Sequence, residues 1–322
     1  MKIADSRCLV IGANGFIARS LMRKLAGLGA SVHGVVRSSP QPGGFQIHVA
    51  DATDRLALEK ELESARPDVI FNLASVVTGS RSLDVVRPTL ENNLFGLVNV
   101  LDYVARHRDI RIVTMGSLQE PDETSPGIPN SPYAAAKFSA TIYARLFASC
   151  FDVDIRVART FMVYGPGQMD FSKVVPYTLQ SILKDETVRL TSGRTEFDWI
   201  HVDDVADALI ATAAADGLRG ETIDIGTGRL TSVRKVIELL AGELNAPHQL
   251  AFGELPDREN EPTRVAAVDR ARSQTGWSAR IPIEEGLRQT ARWYKEYLAR
   301  GPSAEGSANR VLKGPAAPEA RH

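Results

Sequence analysis

Apolar positions fall into two rhythms along the first half of this chain. Residues 8–13, CLVIGA, are a short β-branched and apolar run ending in glycine, which predicts a buried strand. Residues 16–29, FIARSLMRKLAGLG, place apolar side chains at helical spacing and close on Gly29. The two rhythms then alternate. Strands are predicted at residues 31–37, 45–51, 67–75, 110–117 and 153–165, with helices at 55–65, at 90–107 and after Ser131. The prolines and glycines of residues 38–44, SSPQPGG, mark a loop. Such alternation implies parallel strands, right-handed crossovers and helices on both faces. The predicted fold is α/β, a Rossmann-like doubly wound parallel sheet.

Past Gly165 the alternation loosens. Residues 172–185 read as a helix, 197–214 as a strand running into a helix, and 232–245 and 283–300 as amphipathic helices. The expected organisation is a main lobe over residues 1–165, with some later segments returning to it. A smaller substrate-binding lobe is expected over 166–300. The small, polar, proline-bearing residues 301–322 read as a disordered tail. No internal repeat interrupts this pattern.

Composition narrows the partners. The 322 residues carry a formal net charge of −1, so no basic excess points to nucleic acid or to an anionic membrane surface. No apolar run is long enough for a membrane span, and residues 1–13 lack a signal core with a cleavage site. The two cysteines, Cys8 and Cys150, lie far apart and match no metal-ligand spacing. They are expected to be reduced thiols in a cytoplasmic protein.

The first candidate chemistry is the turn GANGFIA, Gly12 to Ala18, between the first strand and the first helix. Gly12 permits a tight turn, and Gly15 lets backbone approach a pyrophosphate at the helix N-terminus. Ala18 is small enough to stand where a third glycine would give close helix–strand packing. This predicts an NAD(P)-binding lobe, although a strand–helix turn with no ligand has the same outline. At the end of the second strand, a carboxylate would hydrogen-bond the ribose of NAD. The chain has Arg37, Ser38 and Ser39 there, groups suited to a 2′-phosphate, so NADP is the expected cofactor. The other reading is a solvated arginine, with NAD accepted.

The second candidate is SPYAAAK. Tyr133 and Lys137 are four apart on one helical face, with three alanines between them. A phenol begins near pKa 10. A neighbouring ammonium favours the phenolate, so Lys137 is expected to lower the Tyr133 pKa. Ser117 ends the fifth predicted strand, at the sheet edge where ligands bind, and could hold a carbonyl or alkoxide oxygen. Singly, such residues are ordinary surface or structural groups; the three together suggest proton transfer beside a bound dinucleotide.

With these motifs in view, the chain resembles the extended short-chain dehydrogenase/reductases of the NAD(P)-dependent nucleotide-sugar epimerase/dehydratase group. The resemblance runs from about Cys8 to Tyr297. It is carried by GANGFIA, FNLAS, NNLFG, MGS, SPYAAAK, VYGPGQ, IHVDDVADAL and EEGLRQTARWY. It implies Ser117, Tyr133 and Lys137 as the catalytic triad, with Lys137 also bonding the nicotinamide ribose. The cofactor contacts it implies are Gly12, Asn14, Gly15, Phe16, Ile17, Arg37, Ser38, Asp51, Ala52, Leu73, Ala74, Ser75, Tyr133, Lys137 and Val163. Asp51 would serve the adenine amine, and Asn93 would brace the cofactor site. The implied substrate contacts are Ser117, Gln119, Met162 and Arg258, the last for a diphosphate. No metal is implied. A homodimer is implied, pairing the helix of NNLFGLVNVLDYVA with the helix after Tyr133.

The chain departs from that pattern in three places. Dehydratases of the group use a threonine-aspartate-glutamate run, and here Ser117-Leu118-Gln119 stands in its place, so dehydration is not expected; Glu120 lies one position later. Phe197-Asp198 replaces an arginine-aspartate pair, leaving Arg189 or Arg194 as candidate second diphosphate ligands. Met162 stands where relatives often carry asparagine. His201 is expected in a core or hydrogen-bonded role, Asp203 and Asp204 in capping and loop bonds, and Trp293, Tyr294 and Tyr297 in helix packing. The expected activity is NADP-dependent reduction of a 4-keto, 6-deoxy sugar nucleotide. A 4-epimerase that retains its cofactor is the alternative. A cofactor-sensing regulatory protein without turnover is the alternative from another class.

Overall fold

The structure, a computed structural model, describes residues 1–38, 44–107, 109–121, 127–257, 261 and 263–299. After a 3-10 turn at Ile3–Asp5, β1 (Arg7–Ile11) leads into α1 (Phe16–Gly27), followed by β2 (Ser31–Val36), β3 (Gln46–Val49), α2 (Arg55–Ala65) and β4 (Val69–Asn72). The next helix comes in pieces: α3 (Val86–Leu90), a π turn (Glu91–Phe95) and α4 (Gly96–Arg106). Then come β5 (Arg111–Ser117), α5 (Pro132–Cys150), β6 (Ile155–Thr160), β7 (Met162–Tyr164), α6 (Val174–Leu183), β8 (Val188–Leu190) and β9 (Glu196–His201). The chain continues through α7 (Val202–Ala214), β10 (Thr222–Ile225), β11 (Leu230–Ser232), α8 (Val233–Glu243), β12 (Leu250–Phe252), α9 (Val268–Thr275) and α10 (Ile283–Ala299).

Among the described residues, a seven-stranded parallel sheet runs in the order β10-β6-β5-β4-β1-β2-β3. Side chains on a strand alternate between faces, and β1 shows it. Cys8 and Val10 join the core beneath α1 and α7, while Leu9 and Ile11 join the core beneath α2, α4 and α5. The strand order reverses direction between β1 and β4, which makes the crevice at their carboxyl ends the place where a dinucleotide binds in such sheets. The turns after β1 and β4 bound that crevice.

The remaining strands form a three-stranded sheet, β11-β9-β7, and a pair, β12-β8. Tyr164, Phe197, Trp199, Leu240, Leu287 and Tyr294 make a further core between β7, β9, α6, α8 and α10. The strand predicted over 153–165 is therefore two. β6 stays in the large sheet and β7 crosses to the smaller one, with Phe161 between them donating its N–H to Ile225 O at 3.2 Å. The uninterrupted helix predicted over 90–107 widens into the π turn where Asn93 turns inward. The tail predicted at 301–322 lies outside the described residues.

Asp198 joins parts of the chain that are distant in sequence. Fully buried in β9, it accepts hydrogen bonds from Thr227 N (2.7 Å), Thr227 Oγ1 (2.6 Å), Gly228 N (2.8 Å) and Ala266 N (3.0 Å). It thus ties the loop after β10 and the segment before α9 to the smaller sheet.

Candidate active site

The glycine turn sits at the reversal point of the sheet. Gly12 has φ of 84°, a left-handed conformation that favours glycine. A Cβ there would lie 2.8 Å from Ala74 N and 3.1 Å from Leu73 C, so the turn presses against the end of β4. Gly12 N donates to Val35 O at 2.9 Å and Gly15 N to Gly12 O at 2.9 Å. Gly15 caps α1 with no side-chain hydrogen bond. That leaves the first-turn N–H groups of α1 available to an anion, the arrangement that fits a pyrophosphate. Asn14, Phe16 and Ile17 lie on the same turn, and Arg19 Nε donates to Asn14 O at 3.2 Å. That second guanidinium beside the turn went unnoticed in the sequence, although it directly follows GANGFIA.

The neighbouring loops are held from below. Asp51 Oδ1 accepts from Thr53 N (2.9 Å) and Thr53 Oγ1 (2.8 Å). Asn99 of α4 donates to Ala52 O at 2.9 Å. Asn93 is buried in the π turn, where its Oδ1 accepts from Ser75 Oγ (3.0 Å) and Val76 N (2.7 Å) and its Nδ2 donates to Val76 O (3.0 Å). Its side chain grips the backbone beyond β4. Val163 of β7 packs against the core that carries Leu73. Arg37 and Ser38 are exposed just past β2.

Ser117, Tyr133 and Lys137 converge at the end of β5. Helix α5 starts where it does because Ser131 Oγ accepts from Ala134 N at 3.2 Å and Pro132 sits in the first turn. Tyr133, Lys137 and Thr141 follow at four-residue intervals, all buried on the face that meets β5. The Ser117 hydroxyl lies near enough to the Tyr133 phenol to favour its ionised form in part, and Gln119 N donates to Ser117 Oγ at 3.2 Å. Lys137 Nζ donates to Met115 O at 2.9 Å.

One sequence expectation is corrected here. Tyr133 is pushed up to about 12, not down, because burial disfavours the phenolate and Glu120 adds a negative charge; the Ser117 hydroxyl offsets only part. The Lys137 ammonium is directed at the Met115 carbonyl, and burial lowers it to about 8 against the opposing pull of Glu120. The phenol is therefore fully protonated at neutral pH and poised to give a proton.

Sequence reading gave Glu120 little weight. Its buried carboxylate accepts from Ser117 N at 2.6 Å through Oε1 and from Thr141 Oγ1 at 2.9 Å through Oε2. Both oxygens are thus engaged beneath the triad. A signal was present: Thr141 extends the Tyr133–Lys137 stripe by one more turn.

The candidate substrate residues are placed less closely. Gln119 Nε2 donates to Glu261 Oε2 at 3.3 Å. Met162 is half-buried and packs between the core of Tyr164 and that of Leu118, Phe161 and Ala266. Arg258 lies outside the described residues. Arg189 is exposed and pairs with Glu254 at 2.7 Å, and Arg194 is exposed. His201 is buried, accepts from Asp203 N at 3.3 Å and meets the Tyr164 ring edge-on. Asp203 accepts from Ser20 Oγ, and Asp204 Oδ2 from Arg280 N (3.1 Å) and Ile281 N (2.9 Å), so both carboxylates serve packing. Tyr294 is buried and Trp293 stacks on Tyr297, so all three pack α10.

Comparison with known proteins bears on this crevice. The chain is 29% identical over 316 residues to a UDP-glucose 4-epimerase of Mycolicibacterium smegmatis, covering 90% of this chain and 98% of that one. It is 28% identical over 280 residues to a dTDP-glucose 4,6-dehydratase of an Actinoplanes species, covering 84% and 85%. The Bordetella bronchiseptica enzyme WbmF, solved in complex with NAD+ and UDP, superimposes with a TM-score of 0.81 at 26% identity, covering 93% of this chain and 95% of that one. The profile of the NAD dependent epimerase/dehydratase family matches residues 8–226. That match takes in the large sheet from Cys8 in β1 to the end of β10, and on that ground the chain belongs to the NAD dependent epimerase/dehydratase family of enzymes.

Proposed function

We propose that this enzyme reduces the 4-keto group of a nucleotide sugar, a 6-deoxy sugar, with NADP as its preferred cofactor. One observation carries the choice: Arg37 and Ser38 stand exposed at the end of β2, where a carboxylate would favour NAD. A guanidinium and a hydroxyl suit a 2′-phosphate. A diffusible reductant suits a net reduction.

A nicotinamide dinucleotide bound in the crevice supplies the hydride. Ser117 holds the carbonyl oxygen as it becomes alkoxide, and Tyr133 donates the proton to it. Lys137, whose Nζ donates to Met115 O at 2.9 Å, would bond the ribose of the bound dinucleotide. The elements after β7 form the wall for the sugar nucleotide, with Gln119 after β5 and Met162 in β7 as further contacts; Arg258, a diphosphate contact by resemblance, lies outside the described residues. Dehydration has no support from the chain: Leu118 is buried against Phe161 and Ala266, and both Glu120 oxygens accept hydrogen bonds. The likeness to a UDP-glucose 4-epimerase favours a second reading, 4-epimerisation with retained cofactor, which uses the same residues.

Incubation with NADPH and a panel of 4-keto sugar nucleotides separates the two. Reduction gives stoichiometric loss of nicotinamide absorbance, and Arg37→Asp lowers kcat/KM with NADPH by roughly tenfold or more while sparing NADH. Interconversion of two epimers with no net cofactor change would overturn the reductase reading.

The enzyme acts as a homodimer on this proposal. Phe95 beside α4, and Ile142, Tyr143 and Leu146 on α5, are large exposed apolar side chains on the two helices expected to pair. Sedimentation at micromolar concentration is expected to give a species of twice the 35.0 kDa chain mass, and a lone 35.0 kDa species would contradict it.

A further inference from the structure

Away from the triad, three titratable side chains from three elements form one hydrogen-bonded chain. His48 Nδ1 of β3 lies 2.9 Å from Glu61 Oε2 of α2, and His48 Nε2 lies 3.2 Å from His33 Nδ1 of β2. His33 Nε2 lies 3.4 Å from Ser31 Oγ. His48 is buried, and His33 and Glu61 are half-buried. Val35 and Ala50, two residues on from each histidine and so on the same face, pack with Leu58, Leu62 and Ala65 of α2, which are apolar. The other charge acting on His33 is Arg7 at the start of β1, itself paired with Asp68 at 3.1 Å.

These contacts fix the protons when both imidazoles are neutral. A carboxylate only accepts, so His48 Nδ1 carries the hydrogen and His48 Nε2 is bare. His33 Nδ1 must then donate to it, leaving His33 Nε2 to accept from the Ser31 hydroxyl. One added proton is tolerated: an imidazolium at His48 donates to Glu61 from one nitrogen and to His33 from the other, and the His33 hydrogen moves to Nε2. A second proton sets N–H against N–H across 3.2 Å and puts two positive charges there.

The strand so held is at the edge of the sheet. β3 pairs on one side only, with β2, over four residues, Gln46–Val49. Such short edge elements open locally at low cost unless side chains fasten them. Arg37 and Ser38 follow β2, and Ala50 and Asp51 follow β3, so the two strand ends frame the part of the crevice where the adenosine ribose of a dinucleotide lies.

We propose that the His33–His48–Glu61 chain is an acid-sensitive latch. It fastens β3 to β2 and α2 near neutral pH, and the second proton releases it, loosening the adenosine end of the crevice and weakening dinucleotide binding. The latch is independent of the triad and of the choice between reduction and epimerisation. Burial first, then His48 and Arg7, hold His33 below its usual value of 6.5. The folded chain therefore takes up this proton less readily than the unfolded one. The latch is at full strength above 6.5 and is lost as pH falls through the lowered value.

Nitrogen NMR of the imidazoles in the whole protein, at a pH of about 8, is expected to show both rings as the Nδ1–H tautomer, and an Nε2–H form of either would overturn the latch. Hydrogen exchange read as protection factors is expected to show residues 45–51 losing about tenfold between a pH of about 7.5 and about 5, while β4 keeps its protection. The NAD+ dissociation constant should rise by about tenfold over the same interval. His33→Gln, whose amide can donate to His48 but takes no proton, should hold both quantities level. An acid loss in His33→Gln equal to that of the wild type would overturn the proposal, as would a wild type in which either quantity does not change. If His33→Gln does not fold, the wild-type tautomers, protection and NAD+ affinity decide.

Discussion

Tyr133→Phe is expected to lower kcat for sugar reduction by about a thousandfold, within the range for loss of a positioned general acid. The ring is retained, so the α5 face keeps its packing, and the group removed is the phenol beside Ser117. The effect should fall on kcat and leave cofactor affinity close to wild type, because the glycine turn and Lys137 remain in place. In the wild type, kcat should decline above pH of about 8 through Lys137, while the phenol, held up at about 12, stays protonated throughout that decline. Single-turnover kinetics with NADPH would check this. A loss of less than tenfold would mean that another group delivers the proton.

The second large effect concerns stability. Asp198→Ala is expected to cost roughly 3 kcal/mol, because three backbone N–H groups and the Thr227 hydroxyl lose their acceptor inside the protein. Asp198→Asn keeps one acceptor oxygen and should cost about half as much. Urea unfolding of the three proteins would measure it. A cost for Asp198→Ala below about 1 kcal/mol would show that water replaces the carboxylate at little penalty.

The alternation of strands and helices was legible because buried strands show as short unbroken apolar runs, as in Cys8 to Ile11, while long helices repeat their apolar period several times, as in α1. The three-residue strands β8, β11 and β12 contain too few positions to show a period, and they went unread. The β6–β7 division was hidden because only one residue, Phe161, separates the two strands. Ser117, Tyr133 and Lys137 could be selected in sequence because each sits at an element boundary or at helical spacing. The partners of Asp198 are residues 227, 228 and 266, which only the folded chain brings together. Glu120 was legible as a carboxylate after the serine, but its direction was not. That direction depends on Gly116, which opens the space, and on Thr141, which reaches in from another element.

The passage from β6 to β7 through a single residue makes the large sheet and the smaller one neighbours along one continuous piece of backbone, fastened at Phe161 to the last strand of the large sheet. Residues 160 and 162 thus belong to different sheets while the N–H of Phe161 between them is held by Ile225 O, so the two sheets share one hydrogen-bonded junction at this point.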